Sequence, residues 1–130
     1  MRDYQAVVNN YYVLHETLYK RMLAVIRDYP RRKEEYNHIA EESPGGMSPA
    51  AGTSGKSDIT ANKAVKLAGI SLEVRAIEAA ISEIPKEYID GVWNNIQHRA
   101  PYPTDADMRT YKRYKQKFIH TVAENLNFIK

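Results

Sequence analysis

The chain has 130 residues, 43% of them apolar, a net charge of +3 and no cysteine. A chain of this size buries one modest core or two small ones, and the lack of cysteine excludes disulfides and thiolate metal sites. No stretch approaches the roughly 18 uninterrupted apolar residues of a membrane span, so we expect a soluble, intracellular protein without a membrane partner.

The positive charge is concentrated near the C-terminal end. Residues 1–58 contain eight Lys/Arg and eight Asp/Glu, and residues 59–103 contain five of each, so both segments are neutral. Residues 104–130 contain six Lys/Arg and three Asp/Glu, and the whole excess of three lies there. We expect this last segment to face an anionic partner.

The first predicted helix runs from Tyr4 to Tyr29. Its apolar positions step by alternating fours and threes, which is typical of a helix that packs along another helix. A shorter helix is predicted over 31–42, with Pro30 in its first turn. We expect residues 1–42 to form an N-terminal helical hairpin, with homo-oligomerisation through residues 4–29. The positions on this side of the helix, which we call the predicted seam, are Tyr4, Val8, Tyr11, His15, Leu18, Met22, Val25 and Tyr29.

Residues 43–57 are predicted to be a flexible linker, because they contain four of the six glycines, two of the six prolines and one charged residue. The stretch from Ala50 to Ser57 also fits a permissive nucleotide-binding P-loop pattern. A P-loop follows a buried strand, however, and the polar, proline-broken residues 43–49 do not form one. We therefore favour a linker and expect no cofactor.

Residues 58–130 are predicted to form a C-terminal helical unit. Asp58 is a candidate N-cap for a helix with apolar residues at helical spacing as far as Ile84. Pro85 ends that helix and begins another, whose apolar face includes Trp93. No strand pattern occurs in the sequence, so we expect an all-α fold.

The last predicted helix opens with a capping threonine, Thr104, and runs to about Asn127. At 100° per residue, aromatic and aliphatic residues fall on one side and basic residues on the other. We expect the first side to pack and the second to bind an anion. Tyr111, Tyr114 and Phe118, with Trp93, are the expected structural support, and the cationic side contains Arg109, Lys112, Arg113, Gln116, Lys117 and His120.

No catalytic or metal site is expected. Glu35 and His38 have the spacing of carboxylate-bridged metal sites, but such sites need two copies, and no acid lies three residues before His15, His98 or His120. The sequence contains no convincing nucleophile, metal cluster or phosphate loop, so we do not expect an enzyme.

A cationic helix face is often only solvated, but three features favour nucleic acid here. Five Lys/Arg fall between residues 109 and 117, the rest of the chain is neutral, and tyrosines at 102, 111 and 114 can donate to phosphates. A helix with such a face fits the major groove. The expected contacts with double-stranded DNA are Arg109, Lys112, Arg113, Gln116 and Lys117.

Several short motifs follow one another from about Ala24 onward. They are Tyr29-Pro30, the linker at 43–57, isoleucines 77, 81 and 84, Tyr88-Ile89 with Val92-Trp93, and Thr110-Tyr111-x-Arg113-Tyr114-Lys115 followed by Phe118 and Val122-Ala123-x-x-Leu126. Their order resembles the RinA-like family of phage transcriptional activators of Gram-positive bacteria, which is related to the ArpU-like regulators.

The resemblance implies a helix-turn-helix similar to the DNA-reading region of sigma factors, with residues 110–120 in the major groove. It also implies a transcription regulator in the cytoplasm of a bacterial host, with RNA polymerase as a further partner. Two prolines between His98 and Thr104 leave room for at most one turn of the usual first helix, so the motif is expected to be abbreviated. The alternatives are a DNA-binding viral packaging or replication accessory protein, and a helical assembly or adaptor protein that does not bind DNA.

Overall fold

The computed structural model describes residues 12–46 and 54–129. Within these ranges the chain forms five helices and no strand, which confirms the all-α prediction. None of the described helices is long and apolar enough to cross a membrane. The helices are α1 (Glu16–Arg27), α2 (Tyr29–Gly46), α3 (Ser54–Ile81), α4 (Lys86–His98) and α5 (Met108–Asn125).

The helices belong to two compact units. The bundle unit contains the described residues 12–28 and 76–129 and is built from α1, α4, α5 and the last turns of α3. The hairpin unit contains residues 29–75 and is built from α2 and the rest of α3. A hairpin and a larger helical unit are therefore present, but their boundaries differ from the predicted 1–42 and 58–130, since α1 contacts α4 and α5.

The core of the bundle unit is formed where α1, α4 and α5 pack against one another. Each helix buries residues at helical spacing, as an amphipathic helix does when it faces a core. The fully buried side chains include Met22, Leu23 and Ile26 of α1, Val92 and Ile96 of α4, and Tyr111, Phe118, Ile119 and Val122 of α5.

Helix α1 begins later than the sequence suggested. His15 is its N-cap, and its Nδ1 accepts a hydrogen bond from the backbone N–H of Thr17 at 3.2 Å. The prediction that His15 lies on the apolar side of a helix is therefore wrong. Met22 of the predicted seam is buried inside the bundle unit, while residues 1–11 lie outside the described part, so homo-oligomerisation through residues 4–29 stays a prediction.

The hairpin unit has a small core of its own. Ile39 of α2 packs with Ile70 and Val74 of α3, and Tyr29, Tyr36 and Leu67 cover them. Beside this core the guanidinium of Arg32 donates to both carboxylate oxygens of Glu73 at 3.2 Å. Lys66 Nζ lies 3.4 Å from Glu35, which also accepts from Arg32 at 3.0 Å. Glu35 thus serves as an ion-pair acceptor between the two helices.

The predicted linker is partly helical. Residues 43–46 are the last residues of α2, and residues 54–57 are the first residues of α3. The predicted linker therefore includes helical residues at both of its ends. Residues 47–53, which include most of the P-loop-like stretch, lie outside the described residues.

Gly91 allows α4 to approach the aromatic side chains of α5. A Cβ at this buried position would lie 2.5 Å from Tyr111 Cε1 and 2.8 Å from Pro103 Cδ. Because the Tyr111 ring is stacked against Tyr102 and in edge contact with Tyr88, it has little freedom to move aside. We expect Gly91→Ala to destabilise the bundle unit by about 1–3 kcal/mol, measured by denaturant unfolding followed through Trp93 fluorescence.

Gly69 provides the matched control, because a Cβ there meets nothing within 4 Å. At this exposed position in α3, Gly69→Ala should raise stability by roughly 0.5–1 kcal/mol, through the lower conformational entropy of the unfolded chain. Far-UV circular dichroism of dilute protein measures this change. Equal effects of the two substitutions would contradict the close approach at Gly91.

Candidate nucleic-acid interface

Helix α5 is anchored mainly by its second half. All six residues from Phe118 to Ala123 are buried, so this part of the helix is surrounded by protein on every side. In the first half, from Met108 to Lys117, two residues are buried and the other eight are exposed or half-buried. This first half therefore presents an open side to solvent.

Four basic residues lie on the open side of α5, and we call them the α5 cationic surface: Arg109, Lys112, Arg113 and Lys117. Arg109 and Arg113 are exposed, and Lys112 and Lys117 are half-buried. Arg109, Arg113 and Lys117 follow one another at intervals of four residues and therefore form one row. At 1.5 Å per residue this row is about 12 Å long.

None of the four side chains has an acidic partner among the described residues. Most other described cations do have a partner. Lys20 pairs with Glu16, Arg32 and Lys66 pair with Glu35, and Arg27 donates to the carbonyl of Ile96 at 2.8 Å. The charges of the α5 cationic surface are thus not neutralised by any acid in the part of the chain that the structure describes.

Gln116 and His120 do not belong to this surface. Gln116 is 3% exposed, and its Nε2 donates to the carbonyl of Tyr12 at 2.7 Å. His120 is 5% exposed, with its ring in edge contact with the Tyr12 ring and its Nδ1 3.4 Å from Glu124 Oε1. The prediction that Gln116 contacts DNA is therefore wrong in this structure, because Tyr12, which precedes α1, covers α5 at this residue.

The N-terminal half of α5 is held by a cluster of four tyrosines. Tyr111 has no exposed surface; it stacks on Tyr102 with ring centroids 5.4 Å apart and meets the edge of Tyr88 at 5.3 Å. Tyr114 stacks on Tyr88 at 5.0 Å. Farther along the helix, Trp93 of α4 lies against Phe118 with centroids 6.3 Å apart. The four predicted support residues are therefore all in aromatic contacts that fix α5.

The hydroxyl of Tyr111 is used inside the protein. It donates to Asp105 Oδ1 at 2.5 Å, so this tyrosine does not offer its hydroxyl to a phosphate as the sequence suggested. No contact with Tyr111 was predicted for Asp105 or Tyr88. Their pairing with Tyr111 depends on the path of residues 99–107, which sequence spacing alone does not give.

The start of α5 is occupied by its own carboxylate. The N-cap is Asp107 rather than Thr104, and its Oδ1 accepts from the backbone N–H of Arg109 at 2.8 Å. An anion therefore has no place at the end of the helix axis and must approach the cationic surface from the side.

Lys115 points away from this surface. Its Nζ donates to Asn95 Oδ1 at 2.8 Å, and Asn95 Nδ2 donates to the carbonyl of Ala100 at 2.8 Å. Asn95 is 4% exposed, so the contacts connect α4, α5 and the loop between them through a buried amide. No pattern in the sequence indicates this role of Asn95.

The connection from α4 to α5 spans residues 99–107. A helix-turn-helix joins its two helices by a turn of about three or four residues, so this loop is longer than the motif requires. The loop begins at Arg99, whose left-handed backbone (φ 54°) ends α4.

Comparisons of the chain with protein families, with characterised proteins and with solved structures find no match. The resemblance to RinA-like activators and the helix-turn-helix that it implies therefore stay predictions.

The environment of the tyrosine cluster predicts a pH dependence. The hydrogen bond to Asp105 and burial raise the pKa of Tyr111 to about 12, and burial raises the pKa of Tyr102 to about 12. Both phenols have an ordinary pKa of 10.0, so the folded protein holds these protons more tightly than the unfolded chain. The resulting stability is complete below pH 10 and is lost as the pH rises toward 12.

We expect the free energy of unfolding of the bundle unit to fall over that range, measured by urea unfolding through Trp93 fluorescence. Tyr111→Phe should make the fall less steep, because only the contribution of Tyr102 then remains. Parallel curves for the two proteins would contradict the assigned role of the Tyr111 hydroxyl.

Proposed function

We propose that the protein binds double-stranded DNA through the α5 cationic surface and regulates transcription. The observation that carries the proposal is that Arg109, Lys112, Arg113 and Lys117 lie together on one side of α5, and that none of them has an acidic partner among residues 12–46 and 54–129. Positively charged groups on one helix face attract a polyanion. Because the folded protein already holds the helix in place, binding does not have to order its backbone.

Double-stranded DNA suits the dimensions of this surface. Its major groove is about 12 Å wide and accepts an α-helix, and the row from Arg109 to Lys117 is about 12 Å long. Arginine and lysine side chains on such a row reach phosphates on both sides of the groove. Most hydrogen bonds in protein–DNA complexes go to phosphates and sugars, which is the kind of contact that these four cations offer.

Contacts with phosphates provide affinity but do not by themselves distinguish one DNA sequence from another. Base reading requires side chains that reach base edges, and Gln116, the one uncharged residue among the predicted DNA contacts, is buried. Arg113, exposed in the middle of the row, is the residue best placed to reach a base edge as well as a phosphate.

The regulatory part of the proposal rests on the resemblance to RinA-like phage activators. Under this proposal RNA polymerase is a further partner, and the protein acts in the cytoplasm of a bacterial host. The cationic surface provides the DNA contact in either a transcriptional or a packaging role.

Salt dependence tests the DNA contact. With four phosphates neutralised, the logarithm of affinity for a random duplex should fall with the logarithm of salt concentration at a slope near −3.6. Arg113→Glu with Lys117→Glu should reduce the slope to about half of that value or less and weaken binding at every salt concentration. Fluorescence anisotropy of a labelled duplex measures both quantities.

A control variant with the same change in charge separates this surface from net charge. Lys20→Glu with Arg75→Glu alters two exposed cations on α1 and α3 and should leave the slope near that of the unmodified protein. Equal effects of the two double variants, or no binding by the unmodified protein at low salt, would refute the proposal.

A further inference from the structure

Helix α3 is apolar on two opposite sides within the hairpin unit. The inner side, with Leu67, Ile70 and Val74, packs against α2. The outer side carries a second stripe formed by Val65, Ala68, Gly69 and Leu72, which we call the outer α3 stripe. Its spacing of i, i+3, i+4 and i+7 is that of one helix face.

The outer α3 stripe lies in solvent. Val65 is 74% exposed and Leu72 is 63% exposed, and they are two of the four large apolar residues that stand out as exposed among the described residues. Lys66 is the one charged residue between Ala64 and Leu72. A helix that is apolar on both sides is normally covered on both sides, so the outer stripe is suited to contact with another helix.

Gly69 makes a close helix contact possible. A Cβ placed on this residue meets nothing within 4 Å, so its backbone is open to an approaching chain. Small residues at the centre of a helix contact let the backbones come close, while larger residues on either side fill the diverging space.

We propose that the outer α3 stripe binds the same stripe of a second copy of this chain, with the two helices antiparallel around a two-fold axis. The pattern large, small, small, large at Val65, Ala68, Gly69 and Leu72 reads the same in both directions. A two-fold interface requires such a self-complementary patch, because the same residues of both subunits form it. If one residue contacts a second residue of the partner subunit, the second residue also contacts the first residue of the partner.

The charges beside the stripe favour the antiparallel orientation. Lys66 and Glu73 lie on the same edge of the stripe, on the side toward α2, where they already contact Glu35 and Arg32. Rotation about a two-fold axis near Gly69 brings each Lys66 beside Glu73 of the partner subunit. A parallel pair would instead place the two edges on opposite sides of the interface, so that Lys66 and Glu73 of the partner subunit could not meet.

This interface is distinct from the association expected through residues 4–29, and it does not depend on DNA binding. The stripe is short, spanning about 10 Å of helix, so the dimer should be weak and dependent on concentration.

Sedimentation equilibrium tests the proposal. The unmodified protein should dimerise at concentrations below about 1 mM, and Leu72→Glu should raise the dissociation constant by at least about tenfold, because a carboxylate would be buried in the interface. Asn37→Glu, which adds the same charge at an exposed position of α2, should leave it unchanged. Circular dichroism of each variant establishes that the helices are retained.

Disulfide cross-linking provides a second readout, because the chain has no cysteine of its own. Gly69→Cys should form a covalent dimer under mild oxidation, whereas Asn37→Cys should not, since a disulfide requires Cα atoms within about 7 Å. A mixture of Val65→Cys and Leu72→Cys should give more mixed dimer than like dimer if the helices are antiparallel. A monomer at every concentration, no covalent dimer from Gly69→Cys, or a predominance of like dimers would each overturn the proposal.

Discussion

The burial of residues 118–123 on every side of α5 is the constraint on which the bundle unit depends. Helices α1 and α4 pack against α5, and the segment before α1 contacts it at His120. Three of the four largest fully buried side chains of α5 lie among residues 118–123. Because this half of the helix is fixed, the direction in which the other half presents its side chains is also fixed. The tyrosine cluster around Tyr111 then prevents the open half from fraying or rotating.

This division of α5 explains how a small protein can present unneutralised charge without loss of its fold. Hydrophobic burial and ring contacts hold the helix, so its exposed cations contribute little to folding and remain available to a ligand. Lys115 has the opposite role, because its ammonium group donates a hydrogen bond to the buried side-chain amide of Asn95. The chain therefore separates cations that build the unit from cations that face outward.

The sequence predicted those parts of the structure that depend on local pattern. Helical periodicity, the boundary at Pro85 and the basic side at Arg109, Lys112, Arg113 and Lys117 are properties of neighbouring residues, and they appear in the structure. Gln116 and His120 were misplaced because their surroundings are set by a distant residue; both contact Tyr12, and the contact from Gln116 spans 104 positions. His15 was misplaced because the helix begins after it, at Glu16. The pairing of α2 with α3 likewise could not be predicted from local pattern. The apolar sides of α1, α3 and α4 were comparable candidates for packing against α2.

Nuclear magnetic resonance of labelled protein during titration with a short DNA duplex tests the central claim most directly. If α5 contacts DNA through its open half, chemical-shift changes should concentrate at Arg109, Lys112, Arg113 and Lys117 and their immediate neighbours. The amides of residues 118–123 should shift little, because protein surrounds them. Changes spread evenly over the chain, or centred on the hairpin unit, would contradict the account.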